Sequence, residues 1–229
     1  MTTVHKMIPR LFLFGLLSFC CISFSGCAQA LFMPFYLLRG MDVDPEFKDE
    51  VKAIPKESKM VVICRSQLNL FGEDNPSADL SRSITFLLSE KIKDKKKKKL
   101  EWIPFDRVEE MFDESTFNLE SYAKMGKKLG ADYVIGVDID SFETHHSSQF
   151  YQGQAKVHVR LIKVETGEDI VRKSVPTYIY PPTPVPISDS NEIEFQKKFT
   201  VKLANEIGCL FYPHDPHDKY AQDNDFSFR

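Results

Sequence analysis

Apolar and polar positions along this chain follow two periods, and the change from one to the other marks its elements. Residues 129–139 read Leu-Gly-Ala-Asp-Tyr-Val-Ile-Gly-Val-Asp-Ile. Gly130 is placed to end a helix in a left-handed turn, and Tyr133, Val134, Ile135 and Val137 then read as a central strand buried on both faces. Upstream, the apolar run Met60-Val61-Val62-Ile63-Cys64 predicts the first strand. Residues 72–78 form a loop in which Asn75 caps and Pro76 starts a helix that puts Leu80, Ile84, Leu87, Leu88 and Ile92 on one face. Leu100 to Ile103 is a further strand ended by Pro104, and 105–111 make one or two helical turns. Asn118 is expected to cap a helix with Leu119, Tyr122, Ala123, Gly126 and Leu129 on one side. From Phe150 to Val164 the period becomes two: Ala155, Val157, Val159 and Leu161 against Lys156, His158 and Arg160. Residues 165–168 turn the chain, and 170–180 return as an antiparallel partner in which Pro176 signals a sheet edge or a bulge. Pro181, Pro182, Pro184 and Pro186 read as a stiff connector outside any ladder. Ser188 to Ser190 are expected to open a final helix whose Phe195, Phe199, Leu203, Ile207 and Phe211, four apart, form a core stripe.

The first 26 residues have the layout of a secretory signal: Lys6 and Arg10, an apolar stretch from Leu11 to Phe24, then Ser25-Gly26-Cys27. The ending Phe-Ser-Gly-Cys resembles a bacterial lipobox, with Phe24 where that pattern prefers Leu. The resemblance implies cleavage before Cys27 and acylation of Cys27. With Ala28 and Gln29 after the cysteine in place of an Asp, it also implies sorting to the outer membrane. A rival reading is an uncleaved inner-membrane signal anchor, since no charge occurs between Leu11 and Leu38. Gly26 and Pro34 interrupt that span, and Phe32, Phe35 and Tyr36 suit a membrane interface. A simple cleaved secretion signal is the third reading.

Charge and cysteine content narrow the function classes. Removing the leader takes away Lys6 and Arg10 and no acid, so the net charge goes from −3 to about −5, which argues against nucleic acid as a partner. With 42% hydrophobic and 28% charged residues the chain is not globally disordered, and roughly 180 residues remain to fold. Cys20, Cys21 and Cys27 lie in the leader or at its end, which leaves Cys64 and Cys209, too few for a disulfide framework and read as buried free thiols, with a bridge between them as the alternative. Lys91, Lys93 and Lys95 to Lys99 form a basic run, read either as a patch for anionic headgroups or cell-wall polymer or as a solvated turn.

The order of elements, with Gly130-Ala131-Asp132-Tyr133, Gly136 and Val164-Glu165-Thr166-Gly167-Glu168, resembles the α/β domain shared by the curli-secretion lipoprotein, penicillin-binding-protein activator lipoproteins and the amino-terminal domain of TolB. The resemblance covers roughly 58–210. It implies an α/β (α+β) fold with a mixed sheet of about four to six strands, a long antiparallel hairpin and a C-terminal amphipathic helix. It also implies a non-catalytic envelope protein that binds other proteins or assembles with itself. The expected organisation is a signal peptide at 1–26, an anchor and linker at 27–57, one domain at 58–211 and a polar tail at 212–229.

Other clusters carry candidate chemistry. His214, Asp215, His217 and Asp218 carry metal-ligand atoms, but two prolines in a loop give no fixed geometry, and the expectation is a surface tail and no metal site. His145 and His146 beside Glu143 receive the same reading. Asp138 and Asp140 share one face at the end of the central strand, where α/β sheets place ligands; they are either solvated or paired with Lys156 or Arg160. No phosphate-loop, dinucleotide, nucleophile-elbow or zinc-protease motif occurs, and neither an enzymatic reaction nor a cofactor is expected. Two functions remain. One is a lipid-anchored adaptor or assembly component of the envelope, acting through proteins. The other is a small-ligand or cell-wall-glycan module, using Asp138, Asp140, Lys156, His158 and Arg160. A deep pocket among those five would favour the second; a shallow surface or an uncovered sheet edge would favour the first.

Overall fold

The computed structural model describes residues 42–66, 76–93, 100–112 and 120–216. The leader with Cys27, Asn75, lysines 95–99, Asn118, His217 and Asp218 lie outside them. Among the described residues five α-helices and five strands follow in order: α1 (Lys48–Ala53), β1 (Lys59–Ser66), α2 (Pro76–Lys93), β2 (Glu101–Trp102), α3 (Phe105–Phe112), α4 (Tyr122–Leu129), β3 (Tyr133–Ser147), β4 (Phe150–Lys163), β5 (Asp169–Pro186) and α5 (Glu192–Gly208). They build a mixed α/β architecture on one sheet of order β2-β1-β3-β4-β5. β1 runs parallel to β2 and β3, whereas β3, β4 and β5 are antiparallel neighbours. Asp44–Pro213 is one compact unit; Val43 and His214 belong to a second, where they pair as an antiparallel bridge.

Local chemistry explains most of these elements. Gly130 ends α4 at φ 73°, a left-handed conformation that a side chain would resist, and its N–H donates to the carbonyls of Gly126 and Lys127. The strand it delivers is buried from Tyr133 to Ile139, an apolar run broken only by Asp138. Period two along β4 sorts the two faces of the sheet. Ala155, Val157, Val159 and Leu161 are buried on the face where α5 lays Phe195, Phe199, Leu203 and Ile207, all at most 2% exposed. On that face α2 packs beside α5 and against β1, and the Ser81 hydroxyl donates to the Val62 carbonyl at 2.8 Å. The opposite face holds a second cluster: Val61, Ile63, Val134 and Ile162 beneath Val108, Met111, Tyr122 and Met125 of α3 and α4.

Four local expectations are revised. The prolines after Tyr180 do not leave the sheet, because β5 continues to Pro186 and pairs Phe150 with Pro186 and Tyr151 with Val185. As the edge strand it needs no N–H on its outer side. A bulge between Tyr151 and Gly153 takes up the register, and there the Gln152 amide donates to the carbonyls of Pro181 and Pro182 at 3.0 and 3.2 Å. Ser121, in place of Asn118, caps α4: its hydroxyl accepts from the Lys124 N–H at 3.3 Å. Asn191 caps α5 through the Ile193 N–H at 2.9 Å, while Ser188 sits in a short 3-10 turn, Ile187–Asp189. Cys64 and Cys209 do not bridge, and only Cys64 is fully buried; Cys209 is half-buried beyond the last turn of α5. Pro176 sits, as its sequence context suggested, on the sheet edge beside a register shift between Ala155 and Val157.

Candidate functional site

The carboxyl end of β3 carries Asp138 and Asp140, and the register of the sheet decides what meets them. Parallel pairing sets Arg65 of β1 beside Asp138; antiparallel pairing sets His158 on its other side, and Gly136 opposite Arg160. Tyr122, the first residue of α4, lies over Gly136, where an added Cβ would come within 2.8 Å of its ring. The missing side chain lets the phenol reach along the strand to Asp138.

Asp138 is buried, 4% exposed, and fully engaged. Its Oδ1 accepts from Arg65 Nη2 at 3.0 Å and from the Tyr122 hydroxyl at 2.8 Å, and its Oδ2 accepts from Arg160 Nη2. Both guanidinium groups also lie over the Tyr122 ring, at 3.8 and 5.0 Å from its centroid. Arg65 donates further to the Glu120 carbonyl at 2.8 Å, and Arg160 Nη1 lies 3.9 Å from Asp169. Burial alone pushes the Asp138 carboxyl up, but the hydrogen bonds from Tyr122 and Arg160 and the charges of Arg160 and Arg65 outweigh it and hold the group below the usual carboxylate range. Burial, with the charge of Asp138, pushes the Tyr122 phenol well up. Neither group is poised for proton transfer at neutral pH, and the cluster acts as a charge-satisfied brace between β1, β3, β4 and α4.

Asp140, two residues on, is half-exposed. Its Oδ2 lies 2.8 Å from His158 Nε2 and 3.6 Å from Lys156 Nζ. The pairing expected for the two acids is therefore present, whereas the solvated alternative is wrong for Asp138. Ser174 is the cross-strand neighbour of His158, and among the described residues its hydroxyl makes no hydrogen bond to the ring.

The five residues expected as one face do come together on the side of β3 and β4 opposite α5. Arg65 and Tyr122 join them and were not singled out from sequence. Arg65 keeps the parity of Val61 and Ile63, so its side was readable, but its partner depended on the β1–β3 register. Two clefts in the Asp44–Pro213 unit lie elsewhere. One, of about 700 Å³, is bordered by Lys56, Ser58, Asp132 and Lys163 at the other end of the parallel strands; the other lies at α1; none of the five residues lines either. Among the described residues no group of three or more His, Cys, Asp or Glu side chains could hold a metal ion, and no helix is long and apolar enough to cross a membrane. His145 lies 3.8 Å from Glu192 and 4.9 Å, ring to ring, from Tyr151.

No protein-family model matches the chain, and no match is found among curated proteins. Solved structures of similar arrangement include lipoprotein GNA1162 from Neisseria meningitidis, at 16% identity and TM-score 0.40, covering 67% of this chain and 98% of that one. A PelC dodecamer from Paraburkholderia phytofirmans follows at 12% identity, TM-score 0.38, and 68% and 89% coverage. The LpoB C-terminal domain from Salmonella enterica gives 13%, 0.36, and 56% and 87%. The structures to which this chain is similar thus include bacterial lipoproteins.

Proposed function

We propose that this protein is a membrane-anchored component of a bacterial cell envelope, tethered through an acylated Cys27, that works without catalysis by binding other proteins along the β5 side of its sheet. The observation that carries the reading is the position of β5 as the edge strand among the described residues. β5 spans Asp169–Pro186 at the end of the sheet, with no described strand beyond it. Along it Ile170 and Ile179 are 41% and 45% exposed. The adjoining sheet face offers Lys156, His158 and Arg172, and neither described cleft touches it. Such an edge suits an extended segment or a flat partner. The prolines of β5 limit indiscriminate strand pairing and favour a specific partner. The tether rests on the lipobox-like sequence ending at Cys27.

Two measurements test the reading. Intact-mass analysis of protein extracted from membranes is expected to show a chain starting at an acylated Cys27, and a chain still starting at Met1 would overturn the tether. A photocrosslinking residue at Ile179 is expected to give a discrete protein adduct in the envelope, and one at Lys197 on the outer side of α5 is not. Equal labelling at both positions, or none at Ile179, would remove the β5 side as the binding surface.

A further inference from the structure

Helix α1, the last turn of α2, the residue leading into β2 and the chain leaving α5 border a cleft of about 120 Å³. Its walls are apolar, formed by Val51, Ile92, Leu100, Phe211, Tyr212 and Pro213. Leu100, Phe211 and Tyr212 are buried, so these walls belong to the packed unit and not to a passing loop. The rim is cationic: Lys48, Lys52 and Lys91 border it, with Asp44 the one acid among the lining residues. Asp44 is bound to Lys48 at 2.5 Å, and Lys52 is bound to Asp49 at 3.1 Å. Lys91, exposed, makes no ion pair among the described residues. The sequence joining two of the walls, from Ile92 to Leu100, is the most basic in the chain, with Lys93 and Lys95 to Lys99. The local charge balance favours anions.

Apolar walls of this kind accept small apolar groups. A glycan would find no hydrogen-bonding walls here, and a peptide backbone would leave its polar groups unmet. Greasy walls beneath a cationic mouth match an amphiphile with a negative head. We propose that the cleft receives the end of one acyl chain of an anionic membrane phospholipid, with its phosphate held at Lys91 and flanked by Lys52. This rests on the envelope reading only in that a bilayer supplies the lipid.

Thermal unfolding of the full chain in a neutral maltoside detergent tests it, with dihexanoyl phosphatidylglycerol and dihexanoyl phosphatidylcholine titrated separately. Phosphatidylglycerol is expected to raise the midpoint by several degrees and phosphatidylcholine to do much less. Lys91→Glu, at an exposed position, should weaken the phosphatidylglycerol response about fivefold, and Val51→Trp should abolish it by filling the cleft. Equal responses to both lipids, no response to either, or a response untouched by Lys91→Glu would overturn the proposal. So would an equal rise with a neutral apolar peptide. If Val51→Trp does not fold, Lys91→Glu decides alone. The acylation state of Cys27 is read separately by mass, so an acylated protein that ignores phosphatidylglycerol sinks this inference and leaves the tether standing.

Discussion

The two sides of β4 have the same backbone and opposite fates. One side carries Ala155, Val157, Val159 and Leu161, closed under α5, where Phe199 stacks on Tyr178 and lies 5.0 Å from Phe142, ring to ring. The other carries Lys156, His158 and Arg160, which no described helix covers beyond the reach of α4, and Asp138 and Asp140 meet them within the sheet. The closed side holds the fold by removing apolar area from water, and the open side leaves a surface whose charges are already balanced. The difference teaches that the polar residues here form two layers. An inner layer around Asp138 braces the strands, and an outer one around Asp140, Lys156 and Arg172 is the more exposed, the layer to which the proposed function assigns a partner.

Substitutions can break that division. Phe199→Ala on the closed side is expected to cost about 3–5 kcal/mol in urea unfolding, since a wholly buried ring leaves a cavity between α5 and the hairpin. A loss below about 1 kcal/mol would mean that this side is not the main core. Asp138→Ala comes next, at about 2–3 kcal/mol. It strands two guanidinium groups, but Arg65 and Arg160 keep 15% and 20% exposure, so the effect sits under the range for fully buried pairs. If it cost no more than Asp140→Ala, the inner and outer layers would not be distinct.

Acid titration sharpens the same point. The Asp138 carboxyl titrates below the ordinary range in the folded state and within it when unfolded. Its stabilising contribution is therefore whole above the ordinary carboxylate range and disappears as pH falls through that range to the depressed folded value. Asp138→Ala should flatten the acid limb of a stability-against-pH curve measured by circular dichroism, and an unchanged limb would deny Asp138 its bracing role. The smallest expected effect is that of Arg172→Glu on the outer layer. Stability should shift by no more than about 0.5 kcal/mol, while the photocrosslinked adduct at Ile179 should fall. A fall in stability with the adduct intact would reverse the assignment of this layer.

The sequence and the structure agree where a single segment decides. The α5 stripe from Phe195 to Ile207 and the left-handed Gly130 were readable because helix periodicity and glycine's tolerance of positive φ are local properties. Pro181 to Pro186 misled for the opposite reason. A missing N–H excludes a residue from an interior ladder, but whether β5 lies at the interior or at the edge is a property of the whole sheet. The candidate face divides likewise. Lys156, His158 and Arg160 share a side by period two, whereas Arg65 reaches Asp138 only because β1 runs parallel to β3 in one particular register. Tyr122, read as part of an apolar stripe, turned out to spend its hydroxyl on Asp138.

By itself, then, the amino-acid order determined most of the elements, their buried faces and the two acids two residues apart, because each follows from neighbours a few positions away. Tertiary structure alone decided that one of those acids is locked between two arginines and a tyrosine, that the prolines border the sheet, and that an apolar cleft opens beside Lys91. Strand register, edge position and the meeting of distant chain segments are fixed by the packing of the whole domain.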